Sequence, residues 1–276
     1  MGWCGLSRPF TVFGGLLLLL SGTPALADAK VLCTLVADAA TGTVLVEQGD
    51  CQSRVTPAST FKIPLAVMGY DAGILKNATN PVMAFRKGDP AWGGANWTRD
   101  TDPASWMRFS VVWYSQRITH AMGAAQLTRY AQAFGYGNAD FTGDAEEKNG
   151  LVRAWIGSSL KVSPREQITF LRKLVLGTLP VNIAAMANTK AIVENQAIDG
   201  WVVHGKTGTA YPRNQNRSFD YARGWGWYVG WAEREGRTLV FARLSQGRER
   251  TSGSPGMLTM EAFLKEWPTL AASFNP

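Results

Sequence analysis

The sequence predicts an α/β fold of the α+β type, in which both ends of the chain contribute strands to one antiparallel sheet. Segments with strand character lie near the start and in the last third of the chain, and amphipathic helical patterns occupy the middle. No internal repeat interrupts this order. We therefore expect a sheet flanked by helices, beside an all-helical lobe over about residues 75–185.

The first 27 residues have the composition of a secretory signal. Arg8 precedes an apolar run over residues 11–20, and small residues occupy the cleavage-site positions Ala25 and Ala27. The run is too short to span a bilayer as a helix. We therefore expect cleavage before Asp28, one exported domain over residues 28–276 and no membrane association of the mature form. A signal anchor is the alternative.

The charge balance bears on the class of partner. The chain has 28 Lys and Arg against 21 Asp and Glu, a formal net charge of +7, which falls to +6 when Arg8 leaves with the signal. No dense Lys/Arg run with interleaved aromatic residues occurs, so we expect no nucleic-acid partner. A cationic cleft for a small anion is compatible with this charge, and scattered surface charge is the alternative.

The two cysteines of the mature chain flank a predicted β-hairpin that turns near Gly42. Cys33 and Cys51 are equidistant from that glycine, so pairing across the hairpin makes a disulfide geometrically reasonable, and export favours it. Two free or metal-binding thiols are the alternative. We expect no metal, because His120 and His204 are not spaced as ligands.

The next segment, from Ser59 to Tyr70, is almost wholly apolar and predicts a buried helix. Pro57 suits a helix start, whereas Pro64 removes one intrahelical hydrogen bond and is expected to bend the helix. Residues 76–103, rich in Gly, Pro, Asn and Asp, predict an irregular surface segment. Helical periodicity resumes at residue 104, continues past residue 110 and ends at Gly135.

The clearest helix starts at Ser163, which has the pattern of a capping box with Pro164 and Glu166, and it ends at Gly177. Three adjacent antiparallel strands follow, over residues 201–207, 226–231 and 238–244, with a tight turn at residues 233–236 between the last two. A short amphipathic helix is predicted over residues 260–270.

Ser59 and Lys62 place a hydroxyl and an amine on one face of the predicted helix. A serine becomes a nucleophile when a base accepts its proton, and a lysine becomes that base when burial lowers its pKa. Apolar neighbours such as Phe61, Ile63 and Trp155 supply the burial. A capping serine followed by an ordinary lysine is the alternative.

A second motif, Lys206-Thr207-Gly208, ends a predicted strand with a cation, a hydroxyl and a residue without a side chain. We expect the glycine to let a ligand approach the strand backbone. Such an edge can hydrogen-bond an amide and hold a carboxylate together. A plain strand end is the alternative, but penicillin-recognising serine enzymes carry both motifs in this order.

Three further motifs make the chain resemble the class D (oxacillinase-type) serine β-lactamases. The five motifs, in chain order, are Ser59-Thr60-Phe61-Lys62, Ser110-x-Val112, Tyr136-Gly137-Asn138, Trp155 and Lys206-Thr207-Gly208. The resemblance covers about residues 30–268. It implies a β-lactamase/transpeptidase-like fold, a catalytic domain over residues 28–276, a periplasmic location and hydrolysis of penicillins and related antibiotics, and hence antibiotic resistance.

The resemblance also implies a mechanism. Ser59 would be acylated by the β-lactam, and CO2 would carboxylate Nζ of Lys62 to give the general base for both acylation and deacylation. Trp155 would donate its indole N–H to that carbamate, and no other cofactor is implied. The residue pattern around Lys62 favours the same mechanism, because burial favours the neutral amine that adds CO2. The nearest acidic stretch, residues 146–150, does not have the pattern of a class A deacylation loop.

Further roles carried over from the family concern the substrate. Ser110 would pass a proton to the leaving nitrogen, and Val112 would wall the lysine pocket. Lys206 and Thr207 would hold the substrate carboxylate beside Gly208. The oxyanion hole would consist of two backbone N–H groups, those of Ser59 and Thr209.

One position departs from the family pattern. Many members carry an arginine after the last strand that binds the substrate carboxylate, but Gly256 occupies that position here. Arg243 and Arg250 are the candidates to replace it, with Arg223 and Arg248 nearby. For each, a solvated surface arginine is the alternative, and substrate spectrum and oligomeric state, monomer or homodimer, stay open.

Three other functions share part of this motif set. A D,D-peptidase that β-lactams acylate has no reason to carry the Tyr-Gly-Asn motif together with Trp155. The β-lactam-sensing domain of a transmembrane receptor requires several membrane spans. A catalytically inactive binding module would not need both Ser59 and Lys62, so we expect a hydrolase.

Overall fold

The computed structural model describes residues 1–2 and 29–274, so the predicted signal sequence and its cleavage site lie outside the described residues. Its strands are β1 Lys30–Asp38, β2 Val44–Gly49, β3 Asn195–Ile198, β4 Trp201–Ala210, β5 Trp225–Arg234 and β6 Arg237–Gln246. They form one antiparallel sheet in the order β2-β1-β6-β5-β4-β3. Both ends of the described chain contribute strands, which confirms the predicted fold class.

The helices pack on both faces of this sheet. They are α1 Lys62–Asp71, α2 Pro103–Phe109, α3 Val112–Met122, α4 Ala124–Phe134, α5 Gly150–Arg153, α6 Pro164–Leu176, α7 Ile183–Ile192 and α8 Pro255–Ala272. Short 3-10 turns occupy Ala58–Phe61, Ala95–Trp97 and Tyr221–Arg223. No helix in the described part of the chain is long and apolar enough to cross a bilayer.

The alternation of side chains along β5 divides the core into two layers. Trp227, Val229 and Trp231 face the helical lobe, whereas Tyr228 faces α8 and packs near Phe263. Burying each large apolar side chain stabilises the fold by roughly 1.5–3 kcal/mol relative to exposure. The sheet therefore forms the centre of the molecule, with α8 alone covering the second face.

The predicted disulfide between Cys33 and Cys51 is confirmed, but its predicted register is wrong by two positions. Cys33 lies opposite Gly49 in the β1–β2 pair. The chain then turns back after Gly49, where the N–H of Asp50 donates to the carbonyl of Leu32 at 2.8 Å. That turn brings the Cα atom of Cys51 to 5.1 Å from that of Cys33.

Reducing this disulfide is expected to lower the free energy of unfolding by about 3 kcal/mol, because the bridge closes a loop between residues 18 apart in sequence. Denaturant midpoints with and without a reductant measure the effect. A Cys33→Ala/Cys51→Ala double variant, which has no bridge to reduce, should show the same midpoint in both conditions. An unchanged midpoint in the parent, with both thiols shown to be free, would contradict the expectation.

The long helix predicted from residue 104 past residue 110 is wrong. The chain reaches a left-handed conformation at Ser110 (φ 57°), which ends α2 and separates it from α3. The apolar residues that follow continue the helical period, so the sequence pattern does not indicate the break between α2 and α3. The break turns Ser110 toward the sheet and therefore toward the site described below.

Near Pro64 the structure has a change of helix type, where the sequence predicts a bend. The chain forms the 3-10 turn Ala58–Phe61 and becomes α-helical at Lys62. Pro64 then lies in the first turn of α1, where a missing N–H costs no intrahelical bond.

Other local predictions hold. The side chain of Ser163 accepts from the N–H of Glu166 in the predicted capping box, and Gly177 ends α6 with φ 70°.

The sequence does not indicate β3, because its residues Asn-Gln-Ala-Ile are largely exposed and do not alternate. The C-terminal helix α8 starts at Pro255, five residues before the predicted start.

Candidate active site

A cleft of about 680 Å³ lies between β4 and the helical segments, and several predicted site residues line it. These are Ser59, Ser110, Thr207, Gly208 and Thr209. Four other predicted residues are buried and do not line it, namely Lys62, Val112, Trp155 and Lys206. Aromatic side chains form much of the remaining wall, contributed by Trp92, Trp97, Phe109, Tyr211, Phe219 and Tyr221.

The floor of the cleft is the unpaired edge of β4. Its partner β3 ends where Asn195 lies opposite His204, and the N–H of Gly205 makes the last bond on that side, to the carbonyl of Glu194 at 3.0 Å. Alternate residues of a strand direct both backbone groups to the same side. Thr207 and Thr209 therefore direct their N–H and C=O groups into the cleft, where no described strand pairs with them.

Ser59 lies in a strained turn beside this edge. The preceding residue, Ala58, has φ 50°, a left-handed conformation that costs about 1–2 kcal/mol for a residue with a side chain. The turn is fixed by Thr60, whose Oγ1 donates to the carbonyl of Pro57 at 2.7 Å and accepts from Nε2 of Gln167 at 2.8 Å. Such support holds a short nucleophile-bearing turn in one conformation.

Gly208 lines the cleft, and its missing side chain also has a packing role that the sequence did not indicate. A Cβ atom at this position would lie 2.9 Å from the carbonyl oxygen of Pro57 and 3.2 Å from the backbone nitrogen of Thr60. The missing side chain therefore lets β4 pack against the turn that carries Ser59. It makes room for protein, and the ligand-facing side of the strand is its open edge.

Lys62 lies in the first turn of α1 and is 1% exposed. Its Nζ atom is buried without a hydrogen-bond partner in the structure. Burial holds the pKa of Lys62 well below its usual value, and the nearby positive charge of Lys206 lowers it further. Burial therefore favours the uncharged amine, which is the form that can act as a base or a nucleophile.

Lys206 and Ser110 connect the two lobes across the cleft. Nζ of Lys206 donates to Oγ of Ser110, which the left-handed break between α2 and α3 presents to β4, and to the carbonyl of Thr207 at 3.2 Å. Burial lowers the pKa of Lys206 to about 8, partly offset by the carboxylate of Glu194. Lys206 therefore remains mostly cationic at neutral pH, and its charge disfavours a second cation at Lys62.

Trp155 lies in the turn after α5 and is 1% exposed. Its ring centroid lies 5.6 Å from that of Phe61, the residue between Thr60 and Lys62. Val112, also buried, begins α3. The structure thus surrounds the Lys62 segment with apolar side chains.

The Tyr136-Gly137-Asn138 motif holds the segment that carries Trp155. Asn138 Oδ1 accepts from the N–H of Lys161 at 2.9 Å, and its Nδ2 donates to the carbonyl of Ser159 at 2.8 Å. Gly137 has φ 60°, and a Cβ atom there would lie 2.0 Å from the carbonyl oxygen of Lys161. The motif therefore binds the C-terminal end of the loop over residues 139–161, and it does not line the cleft.

The prediction that Arg243 binds a ligand carboxylate is wrong. Arg243 is 2% exposed, bonds the carboxylate of Glu266 on α8 and lies 5.4 Å from the ring centroid of Phe263. It lies on the α8 face of the sheet, where its charge is already paired, and does not line the cleft. Arg250 is exposed and lies 5.2 Å from the ring centroid of Tyr221, at the cleft wall.

No side chain fits at Gly256, where many family members have arginine. A Cβ atom there would lie 2.6 Å from the carbonyl oxygen of Gly208 and 2.9 Å from Oγ1 of Thr209. The N–H of Gly256 instead donates to Oγ1 of Thr209 at 2.9 Å. The start of α8 packs directly on β4 at this point, which explains the departure from the family pattern.

Sequence reasoning missed two arginines that line the cleft, Arg108 and Arg153. Arg108 pairs with Glu194 at 3.1 Å, and Arg153 pairs with Asp144 at 3.1 Å. Each lies two residues before a motif residue, Ser110 or Trp155, and this spacing could have indicated them. Among the described residues, no cluster of three His, Cys, Asp or Glu side chains is placed to hold a metal.

Comparisons with known proteins agree with this geometry. The family described as "Penicillin binding protein transpeptidase domain" matches residues 32–260. Beta-lactamase OXA-9 of Klebsiella pneumoniae is 43% identical over 239 residues, which are 86% of this chain and 87% of that protein. Beta-lactamase OXA-1 of Escherichia coli is 37% identical over 219 residues, covering 78% of this chain and 76% of that protein.

A sensor protein and a solved structure extend the comparison. Regulatory protein BlaR1 of Bacillus licheniformis is 29% identical over 208 residues, which are 73% of this chain but only 31% of that protein. The crystal structure of the OXA-427 class D β-lactamase superposes with a TM-score of 0.80 at 42% identity, covering 87% of this chain and 98% of that one. The similarity therefore covers 76–98% of the length of these three β-lactamases, but less than a third of the sensor protein.

Proposed function

The chain belongs to the class D β-lactamases, and from that premise we propose that it hydrolyses the amide bond of penicillins and related β-lactams through an acyl-enzyme on Ser59, with carboxylated Lys62 as the base. The observation that carries this proposal is the buried amine of Lys62, which has no hydrogen-bond partner among the described residues and follows Ser59 by one helical turn. Acylation and deacylation each need a proton acceptor.

The environment of Lys62 fits a carboxylated amine. An unpartnered buried nitrogen costs about 1–3 kcal/mol, and a carboxylate on it would create new hydrogen-bond acceptors in the pocket. Only the neutral amine adds CO2, and burial keeps this amine neutral. Bound CO2 supplies an anionic proton acceptor, for which the indole N–H of Trp155 is the proposed donor.

Acylation then follows from the positions of the other groups. Ser59 Oγ gives its proton to the base and bonds to the carbonyl carbon of the β-lactam. The backbone N–H groups of Ser59 and Thr209 stabilise the negative charge that develops on the carbonyl oxygen, where one donor is typically worth a hundredfold or more in rate. The carbon–nitrogen bond breaks, and the leaving nitrogen takes a proton from Ser110 Oγ.

Ser110 recovers its proton from the neighbouring Lys206, with which it already shares a hydrogen bond. The proton that the base at Lys62 took from Ser59 then returns to Lys206, which leaves the base free for deacylation and restores the cation. In deacylation the base at Lys62 takes a proton from water, the water oxygen bonds to the ester carbon, and Ser59 leaves with a proton. The cation of Lys206 and the hydroxyl of Thr207 hold the substrate carboxylate in both steps. Arg250 at the cleft wall is the remaining candidate for a second cationic contact.

The proposal extends to the cellular setting. Residues 28–276 form the mature catalytic domain, the preceding residues direct its export to the periplasm, and hydrolysis there protects the cell from β-lactams. The Cys33–Cys51 disulfide supports export, because such bonds persist in oxidising compartments.

Equilibration of the purified protein with 13C-bicarbonate tests the modification directly. We expect one carbamate carbon resonance in the NMR spectrum of the parent and none in Lys62→Met, which keeps the apolar bulk but has no amine. Lys265→Met, which removes an exposed lysine of α8, should keep the resonance. A spectrum without the resonance in the parent, or with it in Lys62→Met, would refute carboxylation at this position.

A further inference from the structure

A buried threonine outside every motif joins the segment before Ser59 to the turn that carries Trp155. Thr56 is 3% exposed. Its Oγ1 donates to the carbonyl of Trp155 at 2.8 Å and accepts from the N–H of Gly157 at 2.9 Å, so one hydroxyl bonds both ends of that turn. The carbonyl of Thr56 accepts from the indole Nε1 of Trp227 on β5 at 2.9 Å.

These bonds have no ready substitute. A hydroxyl has one donor, and that donor and one acceptor position are both used within the Trp155 turn. The site is buried, so water does not replace a lost bond there without entering the core. The turn also has little helical support, because α5 before it has only 4 residues.

The position of this turn matters for the reaction. Trp155 packs against Phe61, in the same short segment as Ser59 and Lys62, and the next two residues, Ile156 and Gly157, line the cleft. A shift of the turn would therefore move an aromatic wall of the Lys62 pocket and part of the cleft surface at the same time. Displacements of about 1 Å in such supporting groups can reduce rates about a hundredfold.

We propose that Thr56 is a positioning residue for Trp155, which its hydroxyl holds in place beside the Ser59–Lys62 turn. This inference rests on the proposed function, because it assigns Thr56 an effect on the base at Lys62. It concerns a residue that contacts neither the cleft nor the reacting atoms. The two bonds of its hydroxyl act on the reaction through the Trp155–Gly157 turn.

The test compares a substitution that removes the hydroxyl with one that retains it. Thr56→Val keeps the branched side chain and loses both hydroxyl bonds, whereas Thr56→Ser keeps the hydroxyl. In Thr56→Val we expect deacylation to slow by about 10- to 100-fold, acylation to change less, and the bicarbonate concentration for half-maximal turnover to rise by about tenfold. Thr56→Ser should restore all three quantities to within a few-fold of the parent.

Thr189→Val provides the matched control, because Thr189 is a buried threonine of α7 whose Oγ1 donates to the carbonyl of Ala185 at 2.9 Å, within its own helix. It should lower thermal stability without changing the bicarbonate requirement. The inference is overturned if Thr56→Val has the deacylation rate and bicarbonate requirement of the parent, or if Thr189→Val changes them equally. A parent that is itself indifferent to bicarbonate would instead count against the proposed function.

Discussion

The Ser59→Ala variant is expected to form no covalent adduct with a penicillin and to lose turnover by a factor on the order of 10⁴ or more. The physical reason is that this hydroxyl is the proposed nucleophile, lies in the cleft and follows a residue with a left-handed backbone conformation. Intact-mass spectrometry after brief exposure to penicillin measures the adduct, and a chromogenic cephalosporin measures turnover. Alanine removes only the oxygen, so the turn should keep its conformation.

A second serine controls for unspecific labelling. Ser53 is exposed and lies outside the cleft, so Ser53→Ala should form the adduct and turn over substrate like the parent. Equal adduct formation by the parent and by Ser59→Ala would show that another group is the nucleophile. Circular dichroism and the thermal midpoint of Ser59→Ala establish that its loss of activity is chemical.

Much of the fold could be predicted because its signals are local. The run of apolar residues over 226–231 predicted β5, and the capping box at Ser163 predicted the start of α6. The predictions failed for elements whose conformation depends on long-range contacts. The left-handed Ser110 depends on its bond to Lys206, 96 residues away in sequence, and β3 forms because β4 pairs with it, not because its own residues alternate.

The candidate site could be predicted to a similar extent and for the same reason. Motif order indicated Ser59, Lys62 and Lys206, since their spacing in sequence reflects one helix and one strand. The fate of an arginine could not be predicted, because Arg243 has the same sequence signal whether it faces the cleft or α8. Its pairing with Glu266 on α8 shows which side of the sheet Arg243 faces.

Turnover is expected to fall as the pH is lowered in CO2-depleted buffer and to recover when bicarbonate is added at constant pH. The pKa of Lys62 is held well below its usual value, mainly by burial, which favours the neutral amine. As the pH falls through that lowered pKa, the amine takes up a proton and no longer adds CO2. The loss of activity therefore occurs on the acid side.

Lys62→Met separates this effect from general acid inactivation. Removing the base should reduce turnover by about 10²- to 10⁴-fold, because proton transfer to a positioned group contributes that much. The remaining activity should be indifferent to bicarbonate, and an acyl-enzyme that forms slowly should persist, since the same group serves both steps. If Lys62→Met kept the bicarbonate response of the parent, the proton acceptor would have to lie elsewhere in the cleft, and the buried amine would have only a structural role.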